Sequence, residues 1–236
     1  MYEEDSRFVT PDKKLKIWRY INFDKFKWLI LQRALYFCSI EILKQADPYE
    51  GSYYGSEFLS KIDPKQASCV VDQMNRCGPP ITVNCWHLAE SECMAMWRIY
   101  SKDNKGIAIQ STVGRLQESL DNFQDSVYIG QIIYTDDPVS HPLDYPLDKF
   151  MSVMTKRKCY EFEKELRAFV WETGQVTERE LDGSVRVPVN LDAMIEKIYL
   201  SPASDDGIKR QIDFQLSYCG LDKPVEKSNI LERPLF

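Results

Sequence analysis

The sequence is short of the residues on which metal centres and disulfide frameworks are built. Only two histidines are present, His87 and His141, and the seven cysteines include no C-x-x-C pair. A structural zinc ion needs four such ligands at short spacings, so the sequence gives little support to a zinc site. The odd number of cysteines indicates buried, reduced thiols and therefore a cytoplasmic protein.

The short motifs of several large enzyme classes are also absent. The sequence contains no G-x-x-x-x-G-K-[ST], no G-x-G-x-x-G, no G-x-S-x-G and no H-E-x-x-H. These absences argue against a P-loop nucleotide triphosphatase, a Rossmann dehydrogenase, a serine hydrolase and a zincin protease. A Cys85–His87 nucleophile pair on one strand face stays open, although a buried structural cysteine is the more common case.

Charge and hydropathy exclude two further classes of partner. The net charge is −6 and the isoelectric point about 5.1, so the chain has no overall basic field for nucleic acid. No apolar run approaches the roughly 18 residues that a membrane span needs, and residues 1–14 contain no apolar signal core. We therefore expect no membrane contact and a polar N-terminal lead-in over 1–14.

Strand and helix patterns alternate along the chain without a regular βαβ period. The segment "LKIWRY" predicts a strand, "NFDKFKWLILQR" a helix capped by Asn22, and "ALYFCS" a second strand. Later, "LDKFMSVMTKRKCYEF" predicts one long helix that leads into a strand from Glu163, and Gly130 predicts a bulge or twist point in a long strand. We predict a single α+β domain over 1–236, with a mixed β-sheet and flanking helices.

The predicted strand from Glu163 has two different faces. Leu166, Ala168 and Val170 form an ordinary core face, whereas the opposite face carries Glu163, Glu165, Arg167, Phe169 and Trp171. A charged edge strand would explain the acids, but the neighbouring aromatics favour a partly enclosed pocket. A magnesium-dependent nuclease would have Lys two residues after an acid. Here Glu163 is followed two residues later by Glu165 and then by Arg167, which argues against a nuclease.

Arg19 lies between Trp18 and Tyr20 on the first predicted strand. It would serve either as the partner of an acid or as a fixed guanidinium for phosphate oxygens, which its planar fork binds in pairs. Trp97 and Tyr100 share a helix face. We predict that they are core residues, in preference to residues that stack on a ligand.

Taken together, these segments resemble a widespread prokaryotic domain of unknown function, number 2971. The resemblance is carried by "WRYINFDKFKWLILQRALYF", "DPYEGS", "VNCWHLAESECMAMWRIYS", "KGIAIQSTVGRL", "QIIYTDD", "KRKCYEFEKELRAF" and "IYLSP". It implies an intracellular bacterial or phage protein and identifies no reaction.

A second resemblance, to ADP-ribosyltransferase-like domains, implies chemistry. It rests on Arg19 in the opening strand, the helix and strand that follow, and the late "FEKEL". It implies a split sheet around a cleft lined by Arg19, Tyr20, Glu163, Glu165 and Arg167. In this cleft Arg19 would anchor NAD, Glu165 would be catalytic and Glu163 would orient the acceptor. Tyr100 or "VNCWH" would have to replace a middle motif that has no clear counterpart here.

Two other functions remain open on the sequence alone. One is a non-catalytic interaction or sensor module whose cleft binds a nucleotide or peptide, and the other is an unrelated hydrolase or nuclease. The sequence leaves a protein or nucleic-acid acceptor unidentified. An enzyme should bring Arg19 and Glu165 into one pocket, whereas a scaffold should use them in local ion pairs.

Overall fold

The fold consists of short strands and helices spread along the whole chain. A computed structural model describes residues 1–51, 57–77, 81–101, 104–121, 123–136, 149–171 and 179–233. The strands are β1 (Lys16–Ile21), β2 (Ala34–Ser39), β3 (Ile81–Leu88), β4 (Ile107–Thr112), β5 (Val127–Gln131), β6 (Ile133–Tyr134), β7 (Thr155–Lys156), β8 (Glu165–Trp171), β9 (Val185–Pro188), β10 (Lys197–Leu200) and β11 (Val225–Lys227). The α-helices are α1 (Phe23–Gln32), α2 (Ile40–Leu43), α3 (Glu57–Ser60), α4 (Pro64–Cys77), α5 (Met94–Tyr100), α6 (Val113–Ser119), α7 (Lys149–Met154), α8 (Leu191–Met194) and α9 (Asp206–Tyr218), and Lys158–Glu163 form a 3-10 helix.

One mixed sheet connects most of the strands. Its order is β11-β10-β4-β1-β3-β2-β9, and β8 pairs with β3 and carries β5. The β10–β11 pair is parallel and the other ladders of this sheet are antiparallel. Helices flank this sheet and strands of both orientations occur, so the predicted α+β class is confirmed.

The sheet divides at β3. One edge of β3 pairs with β8 along its whole length, from Ile81↔Trp171 to His87↔Glu165. The other edge is shared, since β2 pairs near Thr82 and β1 pairs only at His87 and Leu88. The segment 84–86 between these two ladders has no strand partner on that edge within the described residues, so the β1 and β2 arms separate there.

The first helix follows from its sequence signals. The Asn22 side chain accepts a hydrogen bond from the Lys25 N–H at 2.9 Å and so caps α1. Phe26, Leu29 and Ile30 on this helix are buried in the main core, which lies on one face of the sheet. None of the helices in the described ranges has the length and apolar character needed to cross a membrane.

Two predictions about the region before β8 are wrong. The predicted long helix ends at Met154, because Thr155 and Lys156 pair with Ile133 and Tyr134 as a small parallel sheet. The strand begins at Glu165 and not at Glu163, since Glu163 belongs to the 3-10 helix. Lys164 between them has φ 41°, and this left-handed residue turns the chain into β8.

Gly130 also differs from its prediction. The β5–β8 ladder runs without a bulge from Val127↔Val170 to Gln131↔Leu166, with Gly130 opposite Arg167. A Cβ atom at Gly130 would lie 2.8 Å from Met154 Cε and 2.9 Å from Phe8 Cβ. Glycine is therefore needed for close packing against these two side chains.

Candidate functional site

Arg19 projects from β1 into the gap where the two arms of the sheet separate. Its Nη1 donates to Asn84 Oδ1 at 2.6 Å and to the Cys85 carbonyl at 3.0 Å. Its guanidinium lies 5.8 Å from the centre of the Trp86 ring. The arginine is thus held by residues 84–86 of β3, on the edge of that strand that faces away from β8.

Asn84 is fixed from both arms of the sheet. Its Oδ1 accepts bonds from Arg19 and from Trp86 Nε1, and its Nδ2 donates to the Tyr36 carbonyl on β2. These three bonds define the orientation of the amide. Asn84 therefore presents an acceptor to Arg19 without adding a negative charge.

The charge of Arg19 is not neutralised by a carboxylate. Among the residues that the structure describes, Arg19 forms no ion pair, and its Nε and Nη2 make no hydrogen bond. Neither nitrogen is sealed from solvent. Burial lowers the pKa of Arg19, with Cys85 and Tyr100 opposing that shift. A half-buried guanidinium with open donors is suited to binding an anion.

Arg167 is held in the opposite way, by complete pairing. Its Nε and Nη2 donate to the two oxygens of Glu165, and its Nη1 and Nη2 donate to the two oxygens of Glu50, all at 2.8–3.1 Å. Nη1 also donates to the Val153 carbonyl at 2.6 Å. All five N–H groups are therefore in use, which leaves none for a ligand in this arrangement. The cofactor-binding role of Arg167 remains a prediction.

Lys156 joins the acids of this cluster. Its Nζ lies 2.5 Å from Glu163, 3.2 Å from Glu165 and 3.3 Å from Glu50. We call these four residues with Arg167 the acid cluster. It contains three carboxylates and two cations, so its formal charge is −1 and one carboxylate is not fully compensated.

The electrostatics of the cluster differ between its two central acids. Burial alone would raise the pKa of Glu165, but Arg167 and Lys156 outweigh it and lower that pKa to about 2. Burial raises the pKa of Glu163. Lys156 offsets this effect only in part, and repulsion from the Glu165 carboxylate adds to it. Glu165 is thus the permanent anion, and Glu163 is the acid that protonates more easily.

Arg19 and Glu165 do not contact each other. Arg19 alternates with Trp18 and Tyr20 on β1, so the strand register places it on the face opposite Glu165. Cys85 and Tyr100 interact electrostatically with Arg19 and with Glu165, so both side chains lie near the two groups. Burial raises the pKa of Cys85 and of Tyr100. Glu165 adds to both shifts, and Glu163 adds to that of Tyr100. A thiol whose pKa is raised well above its usual value is a poor nucleophile, which argues against a Cys85–His87 pair.

The aromatic residues predicted near the site have distinct surroundings. Tyr20 is buried, packs edge-on against Trp97 at 5.0 Å, and accepts a hydrogen bond from the Cys93 N–H at 2.8 Å. Trp97 is a core residue as predicted, whereas 44% of Tyr100 is exposed. Tyr100 therefore presents an accessible ring beside the acid cluster, and a role against a ligand remains a prediction for both tyrosines.

Sequence reasoning missed three residues of this region. Glu50, Lys156 and Asn84 were not predicted as site residues. Asp47 pairs with Arg157 at 3.0 Å, so Lys156 and Arg157 together bind residues 47–50 to the end of β7. The basic run "TKRKCY" at 155–160 is a sequence signal that includes Lys156. No group of three possible metal ligands occurs in the described ranges, and His141 lies outside them.

Comparisons with known proteins give limited information. No family model matches the chain, and no curated protein matches it. Among solved structures, a DarT of Thermus sp. 2.9 in complex with NAD+ is 11% identical, with 93% of this chain and 98% of that chain covered at a TM-score of 0.40. The same protein in complex with ADP-ribosylated ssDNA is 12% identical, with 93% and 96% covered at a TM-score of 0.42. With TM-scores below 0.5, these likenesses carry no argument about the function of this chain.

Proposed function

We propose that the chain binds NAD+ at the split between β1 and β3 and breaks its bond between nicotinamide and ribose. The ADP-ribose then passes to an acceptor or to water. Arg19 binds the pyrophosphate, and Glu165 faces the ribose, with Glu163 towards the acceptor.

One observation carries this proposal, the uncompensated charge of Arg19 in the gap of the sheet. A guanidinium that serves only the fold is normally paired with an acid, as Arg167 is. Arg19 instead has neutral acceptors on one nitrogen and open donors on the other two. A pyrophosphate would supply the negative oxygens that these donors lack.

The acid cluster supports the chemical half of the proposal. Cleavage of the glycosidic bond develops positive charge on the ribose, and a fixed carboxylate stabilises such a state. The pKa of Glu165 near 2 keeps it charged at neutral pH, and its contacts with Arg167 and Lys156 hold it in place. The net charge of −1 means that the two cations do not cancel the negative field.

Calorimetric titration with NAD+ tests the binding step. We expect the wild-type protein to bind, and Arg19→Ala to weaken binding at least tenfold, because a charge-assisted pair is worth about 1.5–3 kcal/mol. The matched control is Arg186→Ala, which removes an exposed arginine on β9 that pairs with Glu180. Its affinity should equal that of the wild type. Equal affinity of Arg19→Ala and the wild type would refute the assignment.

A non-catalytic nucleotide-binding module is the second candidate, and the burial of Glu165 favours it. Only 4% of Glu165 is exposed, and both of its oxygens are paired. Such a module would also bind through Arg19 but would release no nicotinamide. Binding with no turnover in the presence of water or of any acceptor tested would support it over the enzyme.

A further inference from the structure

His87 is a buried imidazole that the proposed function does not yet use. It lies on β3 between Trp18 of β1 and Glu165 of β8, on the face of the sheet that carries Tyr20 and the acid cluster. Only 3% of the residue is exposed. A histidine at this position either fills space in the core or contributes a ring nitrogen to the site.

The contacts of the ring determine which nitrogen carries the proton. His87 Nδ1 lies 2.6 Å from the Glu163 carbonyl oxygen. A carbonyl only accepts, so Nδ1 carries the hydrogen and the neutral ring has its lone pair on Nε2. The Tyr20 ring packs edge-on at 6.2 Å and restricts the tilt of the imidazole.

The second nitrogen of the ring has no hydrogen-bond partner in the described ranges. Nε2 makes no hydrogen bond there, and it is not sealed from solvent. A residue this buried would normally have both nitrogens satisfied, because an orphaned polar atom costs free energy. The small accessible area of His87 therefore includes Nε2, a hydrogen-bond acceptor that is held in place by the Nδ1 bond and has no donor in the described ranges.

We propose that His87 is the general base of the reaction, an inference that rests on the proposed function. Nε2 takes a proton from the attacking water or acceptor hydroxyl as its oxygen bonds to C1′ of the ribose. The C1′–N1 electron pair leaves with nicotinamide, which departs neutral, and the imidazolium then returns its proton to solvent. His87 is opposite Glu165 on adjacent strands, where Cβ atoms are about 4.5–5.5 Å apart, so base and anion can act on one ribose.

The charged and titratable groups around His87 agree with this assignment. Tyr20 faces it from β1, Cys85 is next to it on its own face of β3, and Glu165 and Lys164 approach from the β8 side. Burial lowers the pKa of His87, the bond to the Glu163 carbonyl opposes this, and Lys164 adds to it. The ring is therefore neutral at pH 7 and able to accept a proton.

Chemical modification tests the position of Nε2 without requiring turnover. Diethyl pyrocarbonate acylates neutral imidazole nitrogens, and His141→Gln leaves His87 as the sole histidine. We expect mass spectrometry to show acylation of folded protein at His87, slowed at least tenfold by saturating NAD+. The proposal would be overturned if His87 were acylated in the unfolded protein but not in the folded one. It would also be overturned if bound NAD+ did not slow the acylation. If calorimetry shows no NAD+ binding, the proposed function itself fails, and reactivity without NAD+ still reports whether Nε2 is open.

Kinetics of nicotinamide release distinguish a base from a structural histidine. His87→Asn keeps a donor near the Nδ1 position for Glu163 and removes Nε2. We expect kcat to fall about 10²–10⁴-fold with KM within threefold. The wild-type rate should decline as pH falls through the lowered pKa of His87, and this limb should vanish in the variant. A variant with unchanged kcat and an unchanged pH profile would overturn the assignment.

Discussion

At the residue scale, Arg19 and Arg167 show two different uses of one side chain in the same sheet. Arg167 is buried, and its five N–H groups all reach carboxylate or carbonyl oxygens. Arg19 uses one nitrogen for anchoring and leaves two open. The first arrangement stabilises the protein and positions Glu165, and the second reserves charge for a ligand.

Glu165→Gln separates the charge of this residue from its shape. We expect nicotinamide release to fall at least 10²-fold and the NAD+ affinity to change less than threefold, because the amide keeps the volume but loses the anion. The free energy of unfolding should fall by about 1–3 kcal/mol, since the three bonds from Arg167 and Lys156 lose their anionic acceptor. Turnover and urea unfolding measure the two effects.

Two comparisons make the Glu165 result decisive. Glu118→Gln on α6 removes an exposed carboxylate and should alter neither turnover nor stability measurably. Arg167→Met should cost more stability than Glu165→Gln, about 3–5 kcal/mol, because it leaves three acids with one cation. An unchanged rate in Glu165→Gln would remove the catalytic role and favour the binding module.

The site residues differ in how far the sequence could predict them. The period of two in β8 placed Glu165, Arg167 and Phe169 on one face, as the structure has it, because alternation is a local property. Lys156 and Glu50 could not be predicted, since they meet only after residues 47–50 pack against β8. The lack of an acid at Arg19 is likewise set by distant strands.

At the element scale, the predictions succeed where local signals suffice. The strand predicted at "ALYFCS" is β2, and the helix predicted with an Asn22 cap is α1. The helix predicted across Thr155 fails because β7 pairs with β6, more than twenty residues earlier in the sequence. Helical periodicity of the apolar residues carries no information about that pairing.

Gly130 tests an element-scale claim, that β5 needs glycine for close approach. We expect Gly130→Ala to lower the free energy of unfolding by about 1–3 kcal/mol, because the new methyl group would overlap Met154 Cε and Phe8 Cβ. Urea unfolding measures the loss. Met154→Ala removes the overlapping Cε atom, so the two changes should not be additive in a double-mutant cycle. The double variant should lose less stability than the sum of the losses in the two single variants. Full additivity with no loss in Gly130→Ala would contradict the packing explanation.

At the scale of the whole molecule, the split of the sheet connects anchoring and chemistry. β3 borders β1, β2 and β8, so Asn84, Cys85 and His87 along one strand touch both arms of the sheet and the acid cluster. The α+β class and the split were predicted, the latter through the resemblance. The gap lies at residues 84–86 because the β1–β3 and β2–β3 ladders stop on either side of them. Where two distant strands stop pairing cannot be predicted from a local sequence pattern.

The acid cluster predicts how the stability of the whole molecule depends on pH. The folded pKa of Glu165, about 2, lies below the value near 4.3 of an unfolded glutamate, so its contribution is complete above about pH 5 and is lost as pH falls towards 2. The pKa of Glu163 is raised, so its ionisation costs stability as pH rises from about 4.3 through the folded value. Urea unfolding between pH 2 and 7 should show the wild type losing its advantage over Glu165→Gln as pH falls below about 4.5. The difference between the wild type and Glu163→Gln should have the opposite slope, because that variant removes the acid whose charge is disfavoured. Parallel curves for all three proteins would mean that the cluster does not hold these two acids in different charge states.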